Sequence, residues 1–153
     1  MKTTVTIVAA LLAALFVAPE AGTAQEQQAD APELPLMEAS DVTLGQFKWK
    51  NRLIVVFADS ALDPRFKEQM ANLRADIPAL LTRDAVVLTD TTPEARSSLR
   101  EELHPRDFAL VLIGKDGQVK LRKPVPWDMR EISRSIDKWP IRQQEIREEL
   151  GKE

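Results

Sequence analysis

The chain has 153 residues, no cysteine, a single histidine and a formal net charge of −3, with 44% hydrophobic and 29% charged residues. Without a thiol there is no disulfide, no dithiol exchange and no peroxidatic or nucleophilic cysteine, since each of these needs a thiolate. The mild acidity gives no electrostatic basis for binding nucleic acid or anionic lipid, and the length suits one ordinary domain.

Residues 1–24 have the form of a secretory signal peptide. Lys2 supplies a positive start, Val5 to Val17 is apolar apart from Thr6, and Pro19, Ala21, Gly22, Thr23 and Ala24 follow. The apolar run falls short of the about 20 residues needed to span a bilayer. Cleavage after Ala24 would leave Gln25 first, so an exported protein is expected, periplasmic or secreted, with no stable membrane anchor after cleavage. Residues 25–40 read as a linker, because Gln25 to about Glu33 has no apolar period. The domain is expected to begin between Leu34 and Val42 and is assigned to residues 41–139.

Phe47 and Trp49 alternate with Lys48 and Lys50, the period of a half-exposed strand or hairpin arm. Leu53 to Phe57 is a continuous apolar run and predicts a strand buried on both faces. Asp63 and Pro64 then open a helix as N-cap and first-turn residue. Its inner face is expected to hold Phe66, Met70, Leu73, Ile77, Leu80 and Leu81, with a kink near Arg74 or a break caused by Pro78. Ala85 to Leu88 predicts a second buried strand. Thr92-Pro93 opens a helix with Ala95, Leu99 and Leu103 inward. Phe108 to Ile113 and Val119 to Arg122 flank Lys115-Asp116-Gly117, a hairpin signal. Pro124 and Pro126 close the second arm. Asp128 and Glu131 have capping-box spacing, ahead of a helix with Met129, Ile132, Ile136 and Trp139 inside. Residues 140–153 form a charged tail, read as a solvated helix, with a partner-binding helix as the alternative.

The order β-α-β-α-β-β-α predicts two parallel strands joined by a crossover helix, then an antiparallel hairpin. That succession resembles the thioredoxin fold: an α/β, four-stranded mixed sheet with helices on both faces. The strings FKWKNRLIVVFADSALDPRF, LTRDAVVLTD and LIGKDGQVKLRKPVPWDMREISRSIDKWPIRQQEI are similar to the bacterial domain-of-unknown-function family 4174. That family resembles in turn the thioredoxin-like domain of animal extracellular-matrix proteins, including the sushi-repeat-containing ones. The resemblance implies a fold and an exported setting, and brings no reaction or catalytic residue set.

Matched to the thioredoxin pattern, Ala61 and Pro64 occupy the cysteine positions, and Ala109, after Phe108, the place of the cis-proline. The fold would gather Asp59, Ser60, Asp63, Arg65, Asp90, Thr92, His104, Arg106, Phe108, Pro126, Trp127 and Asp128 at one sheet edge, where open α/β sheets bind ligands. Of these, Asp59, Ser60, Asp63, Arg65, Arg106, Phe108 and Trp127 are the candidate binding residues. Several of the gathered residues also have a structural use: Asp63, Thr92 and Asp128 as caps, Arg65 and Arg106 as partners for loop carboxylates, Trp127 as a plug at the core edge.

A hydrolase would need Ser60, His104 and Asp59 or Asp90 as nucleophile, base and orienting group, but no G-x-S-x-G elbow surrounds Ser60. With no cysteine and one histidine, only an all-oxygen metal site is open, and no such spacing occurs; neither metal nor cofactor is expected. The sequence thus predicts a cysteine-free binding or structural module whose partner is an unidentified protein or small-molecule ligand. A cysteine-independent, hydrolase-type enzyme acting near Ser60 and His104 is the alternative.

Overall fold

The computed structural model describes residues 31–152. The signal-peptide expectation and residues 25–30 of the expected linker lie outside the described residues. Five strands form one mixed sheet: β1 (Leu36–Glu38), β2 (Arg52–Phe57), β3 (Ala85–Asp90), β4 (Ala109–Ile113) and β5 (Val119–Lys123), in the order β1-β3-β2-β4-β5. β3 runs parallel to both β1 and β2, while β4 is antiparallel to β2 and β5.

The sequence-based expectation of four strands is corrected to five. Leu36, Met37 and Glu38 pair with Val87, Leu88 and Thr89, inside the stretch read as linker. Their side chains are all exposed, so no hydrophobic alternation marks them. The backbone pairing, continued by Val87 N–H donating to Pro35 O at 2.8 Å, covers groups that β3 would otherwise leave unpaired.

The central strand β2 is buried along its whole length and feeds two separate cores, as the period of two requires. Ile54 and Val56 pack with Val87, Leu110 and Leu112 beneath helices α1 (Pro64–Arg74), α2 (Ile77–Leu81) and α4 (Met129–Asp137), which contribute Met70, Leu73, Leu80, Ile132 and Ile136. Leu53, Val55 and Phe57 face the other way, with Leu88, Val111 and Ile113. There they meet Leu99 and Leu103 of α3 (Ser98–Leu103) and Val42, Leu44 and Phe47 of the N-terminal segment.

Local chemistry sets the helix boundaries. The break before Pro78 separates α1 from α2, and Asp76 caps the second piece through Ala79 N–H at 3.1 Å. Thr92 makes no side-chain cap. Pro93–Ala95 is one 3-10 turn, Arg96 is left-handed at φ 47°, and Ser97 caps α3 instead, accepting from Arg100 N–H. Ala95 consequently lies at the surface and not on the inner face of a helix. The capping box of Asp128 and Glu131 is formed in both directions.

Two further expectations are corrected. Phe47 and Trp49 do not alternate along a strand, because Leu44–Phe47 is a 3-10 turn and the N–H groups of Lys50 and Asn51 both turn back to Phe47 O. Phe47 is thereby buried, and Trp49, at φ 64°, is thrown out with 66% exposure. The charged tail is a helix, α5 (Pro140–Leu150), but it is not merely solvated: Arg142 is buried, and Glu145 reaches Arg52 of β2 and Lys115 of the β4–β5 turn.

Candidate functional site

At the carboxyl end of β2 the chain stays tied to β3 for one more residue, with Ala58 N–H donating to Asp90 O at 2.9 Å. It then turns outward. Ser60 Oγ accepts from Leu62 N–H at 3.1 Å, and Asp63 N–H donates to Ser60 O at 3.1 Å, which closes the loop onto the helix start. Asp63 Oδ1 accepts from Arg65 N–H at 2.8 Å, while the Arg65 guanidinium grips both carboxylate oxygens, Nη2 to Oδ2 at 2.8 Å and Nε to Oδ1 at 3.2 Å. This side-chain hydrogen bond holds the Asp63 carboxyl below its ordinary pKa and raises that of Arg65. Ala61 and Pro64, which the sequence pattern matches to the thioredoxin thiols, are both exposed.

The residue that organises this edge is one the sequence reading passed over. Arg100, between the inward Leu99 and Leu103 on α3, sends Nη2 to Ala58 O at 3.1 Å, to Asp90 O at 3.3 Å and to Asp90 Oδ1 at 3.0 Å. Its Nε also reaches Asp90 Oδ1 at 3.3 Å, its Nη1 lies 3.9 Å from Asp59, and the guanidinium sits 5.4 Å from the centre of the Phe57 ring. Asp90 is almost fully buried and accepts further from Ser97 Oγ–H at 2.5 Å and Thr92 N–H at 3.1 Å. Burial pushes its carboxyl up, but the hydrogen bonds from Arg100, Ser97 and Thr92 outweigh that and leave it below the ordinary value. The ends of β2 and β3 are therefore bolted together by α3. A buried aspartate at a strand end demands a cationic partner, but nothing in the local sequence marks Arg100 as that partner.

On the far side of the edge, the Trp127 loop is fastened to α1. Gln69, fully buried, donates its amide to Trp127 O at 3.0 Å and accepts from Trp127 N–H at 2.9 Å, while Asn72 adds a second donor to the same carbonyl at 3.2 Å. The indole packs partly on the core, with the Lys123 ammonium 4.6 Å from its centroid.

The sequence-derived candidates are thus distributed unevenly. Asp59, Ser60, Asp63 and Arg65 are exposed or half-exposed in one loop, of which Asp59 approaches Arg100 at 3.9 Å and Asp63 pairs with Arg65. Phe108, expected at the rim, is a core residue with 1% exposure, because it follows the loop into β4; the Arg65 guanidinium stands 5.6 Å over its ring. Arg106 is exposed and forms no ion pair among the described residues. His104 is the left-handed C-cap of α3 at φ 45°, and its N–H donates to Arg100 O. No described hydrogen bond joins Ser60, His104 and Asp59 or Asp90 into a relay. Among the described residues no group of His, Asp and Glu converges as a metal site would.

The mixed sheet and the crossover helix, in a chain with no cysteine, define a thioredoxin-like domain without thiols. Two solved structures share the fold, each at 18% identity and a TM-score of 0.52. One is the reduced 2-Cys peroxiredoxin of Plasmodium vivax, where the match covers 68% of this chain and 85% of that one. The other is chloroplastic thioredoxin z, with 69% of this chain and 93% of that one covered. Residues 43–145 match the family described as domain of unknown function (DUF4174), and the chain belongs to that family.

Proposed function

We propose that this chain is an exported binding module, and that the edge formed by the Asp59–Arg65 loop and the neighbouring Arg106 docks a protein partner. The observation that carries this reading is the contrast at that edge between a fixed base and an open surface. Arg100 and Asp90 hold the two strand ends with buried, charge-assisted bonds, which are the stronger kind. In the loop that follows β2, Leu62 is 73% exposed and Asp59, Ser60 and Arg65 stand in solvent, with Asp59 3.9 Å from Arg100. A rigid loop loses little freedom on binding, so more of its contact energy appears as affinity.

The grooves beside this edge favour a macromolecular partner over an enclosed small ligand. One is floored by Thr89 to Thr92 with Ser97, and another lies between Arg96, Arg100, Glu101 and His104; both are open to the surface. Small-molecule sites are usually concave enough to bury most of their ligand. Export rests on the form of residues 1–24.

Two experiments test the proposal. Intact mass of the protein from the exported fraction is expected to match a chain starting at Gln25; an uncleaved chain retained in the cytosol would refute export. Partner capture by the mature protein is expected to fall at least tenfold in a Leu62→Ala, Arg65→Ala, Arg106→Ala variant that keeps the wild-type unfolding midpoint. Unchanged capture would remove the edge as the docking surface.

A further inference from the structure

At the opposite end of the sheet, away from the proposed docking edge, a cavity of about 70 Å³ is lined by Arg52, Gly114, Lys115, Asp116, Lys120, Trp139, Pro140 and Ile141. At about 10–15 Å³ per water-sized atom it has room for a handful of atoms. Its walls divide by chemistry. The indole of Trp139, the Pro140 ring and Ile141 form an apolar side, and Arg52, Lys115 and Lys120 form a basic one.

The basic side has donors left over. Arg52 is buried to 1% exposure and fixes the floor of the cavity: its Nη1 donates to Arg83 O at 2.8 Å and its Nη2 to Glu145 Oε2 at 3.0 Å, while its unpartnered Nε is itself sealed from the cavity, so the free donors are those of the lysines. Lys115 gives two of its three protons to Asp84 and Glu145, at 2.7 and 2.8 Å. Lys120 likewise binds Asp116 at 2.7 Å and Gln118 at 3.1 Å, leaving one. The nearby carboxylates have little to offer in return: Glu145 already accepts from Arg52, Arg142 and Lys115, and Asp116 from Lys120 and Gln118 N–H. The cavity also meets the start of α5, where Trp139 supplies no side-chain cap and the first internal bond is Gln143 N–H to Trp139 O. The N–H groups of Ile141 and Arg142 come before that bond, at the positive end of the helix dipole.

We propose that this cavity is a binding site for a small carboxylate, with the carboxylate oxygens toward the Lys115 and Lys120 ammoniums and a short apolar stem against Trp139, Pro140 and Ile141. A donor surplus selects an acceptor ligand, and the apolar wall selects one that carries carbon. The site is independent of the docking edge and stands or falls separately.

Propionate titrated into ¹⁵N-labelled mature protein, with ionic strength balanced by sodium chloride, tests it. The Trp139 indole N–H and the Lys115 and Ile141 amides are expected to shift together and saturate, with Kd on the order of 1 mM. Two variants are expected to weaken binding at least tenfold while leaving the remaining spectrum intact. Lys120→Met removes a donor. Gly114→Ala places a Cβ 2.6 Å from Asp116 Oδ1 and 2.8 Å from Lys120 Cε, forcing both flexible side chains to move beside the cavity. Shifts that never saturate, or that sodium chloride alone reproduces, would show that the cavity holds only water. Saturation by inorganic phosphate but not by propionate would overturn the carboxylate assignment. If Gly114→Ala fails to fold, Lys120→Met with wild-type affinity would still overturn the proposal.

Discussion

Removing either partner of the Asp90–Arg100 pair is expected to destabilise the domain severely, and removing both less than additively. Asp90 is 4% exposed and Arg100 13%, so neither charge is rescued by water when the other is lost. Breaking a buried pair costs about 3–5 kcal/mol. Arg100 in an Asp90→Ala variant keeps the Ala58 and Asp90 backbone carbonyls, which places the cost at the low end, about 3 kcal/mol. With a urea slope of about 1.5 kcal/mol/M, the unfolding midpoint falls by about 2 M. Arg100→Ala leaves Asp90 its Ser97 and Thr92 donors, and a loss of about 2–3 kcal/mol is expected. The double variant is then expected to recover about 2 kcal/mol relative to the sum of the singles. Urea unfolding followed by tryptophan fluorescence completes the cycle. Losses that add to within about 0.5 kcal/mol would show that the pair is not coupled, and would refute α3 as the clamp on the two strand ends.

Three further outcomes are expected. Gln69→Leu orphans Trp127 N–H while Asn72 still serves the carbonyl, so urea unfolding should register a loss of about 2 kcal/mol. Trp49→Asn places a residue tolerant of the left-handed region at φ 64° and should raise stability by about 0.5–1 kcal/mol; a loss of that size would mean that the exposed indole itself supports the fold. The third concerns acid. At Asp90 and Glu145 burial pushes the carboxyl up, but hydrogen bonds, from Arg100 at one and from Lys115 and Arg52 at the other, leave both below their ordinary pKa. The unfolded chain therefore takes up those protons first, so their stabilisation is full above about pH 4–5 and is lost as pH falls through the lower folded values. The urea midpoint of wild type should drop below about pH 4 more steeply than that of Glu145→Gln, and equal slopes would contradict the Glu145 network.

Long, dense signals were legible in the sequence, and short or backbone-borne ones were not. β2, β3 and β4 announced themselves because burial on both faces leaves a run of apolar residues, and α4 because its cap and inner stripe agree. β1 was missed because Leu36–Glu38 contribute backbone pairing with exposed side chains, which no hydrophobic pattern records. Trp49 misled because one left-handed residue breaks an alternation that still reads as a strand. At the candidate edge, Asp63, Arg65 and the missing thiols could be placed from local spacing. Arg100 could not, since its partners Ala58 and Asp90 come from two strands that only the parallel pairing brings together. The same applies at the other pole, where Glu145 looked like one charge in a solvated tail until α5 carried it to Arg52 and Lys115.

The most direct test of docking through the proposed edge is site-specific photocrosslinking in intact cells. A photoreactive residue is placed at Leu62 in one protein and at Trp49, on the opposite pole, in another. The expected result is one discrete crosslinked partner from position 62 that Arg65→Ala, Arg106→Ala suppresses, and none from position 49. Crosslinking of the same partner from position 49 alone would contradict it and move the binding surface to the other end of the sheet.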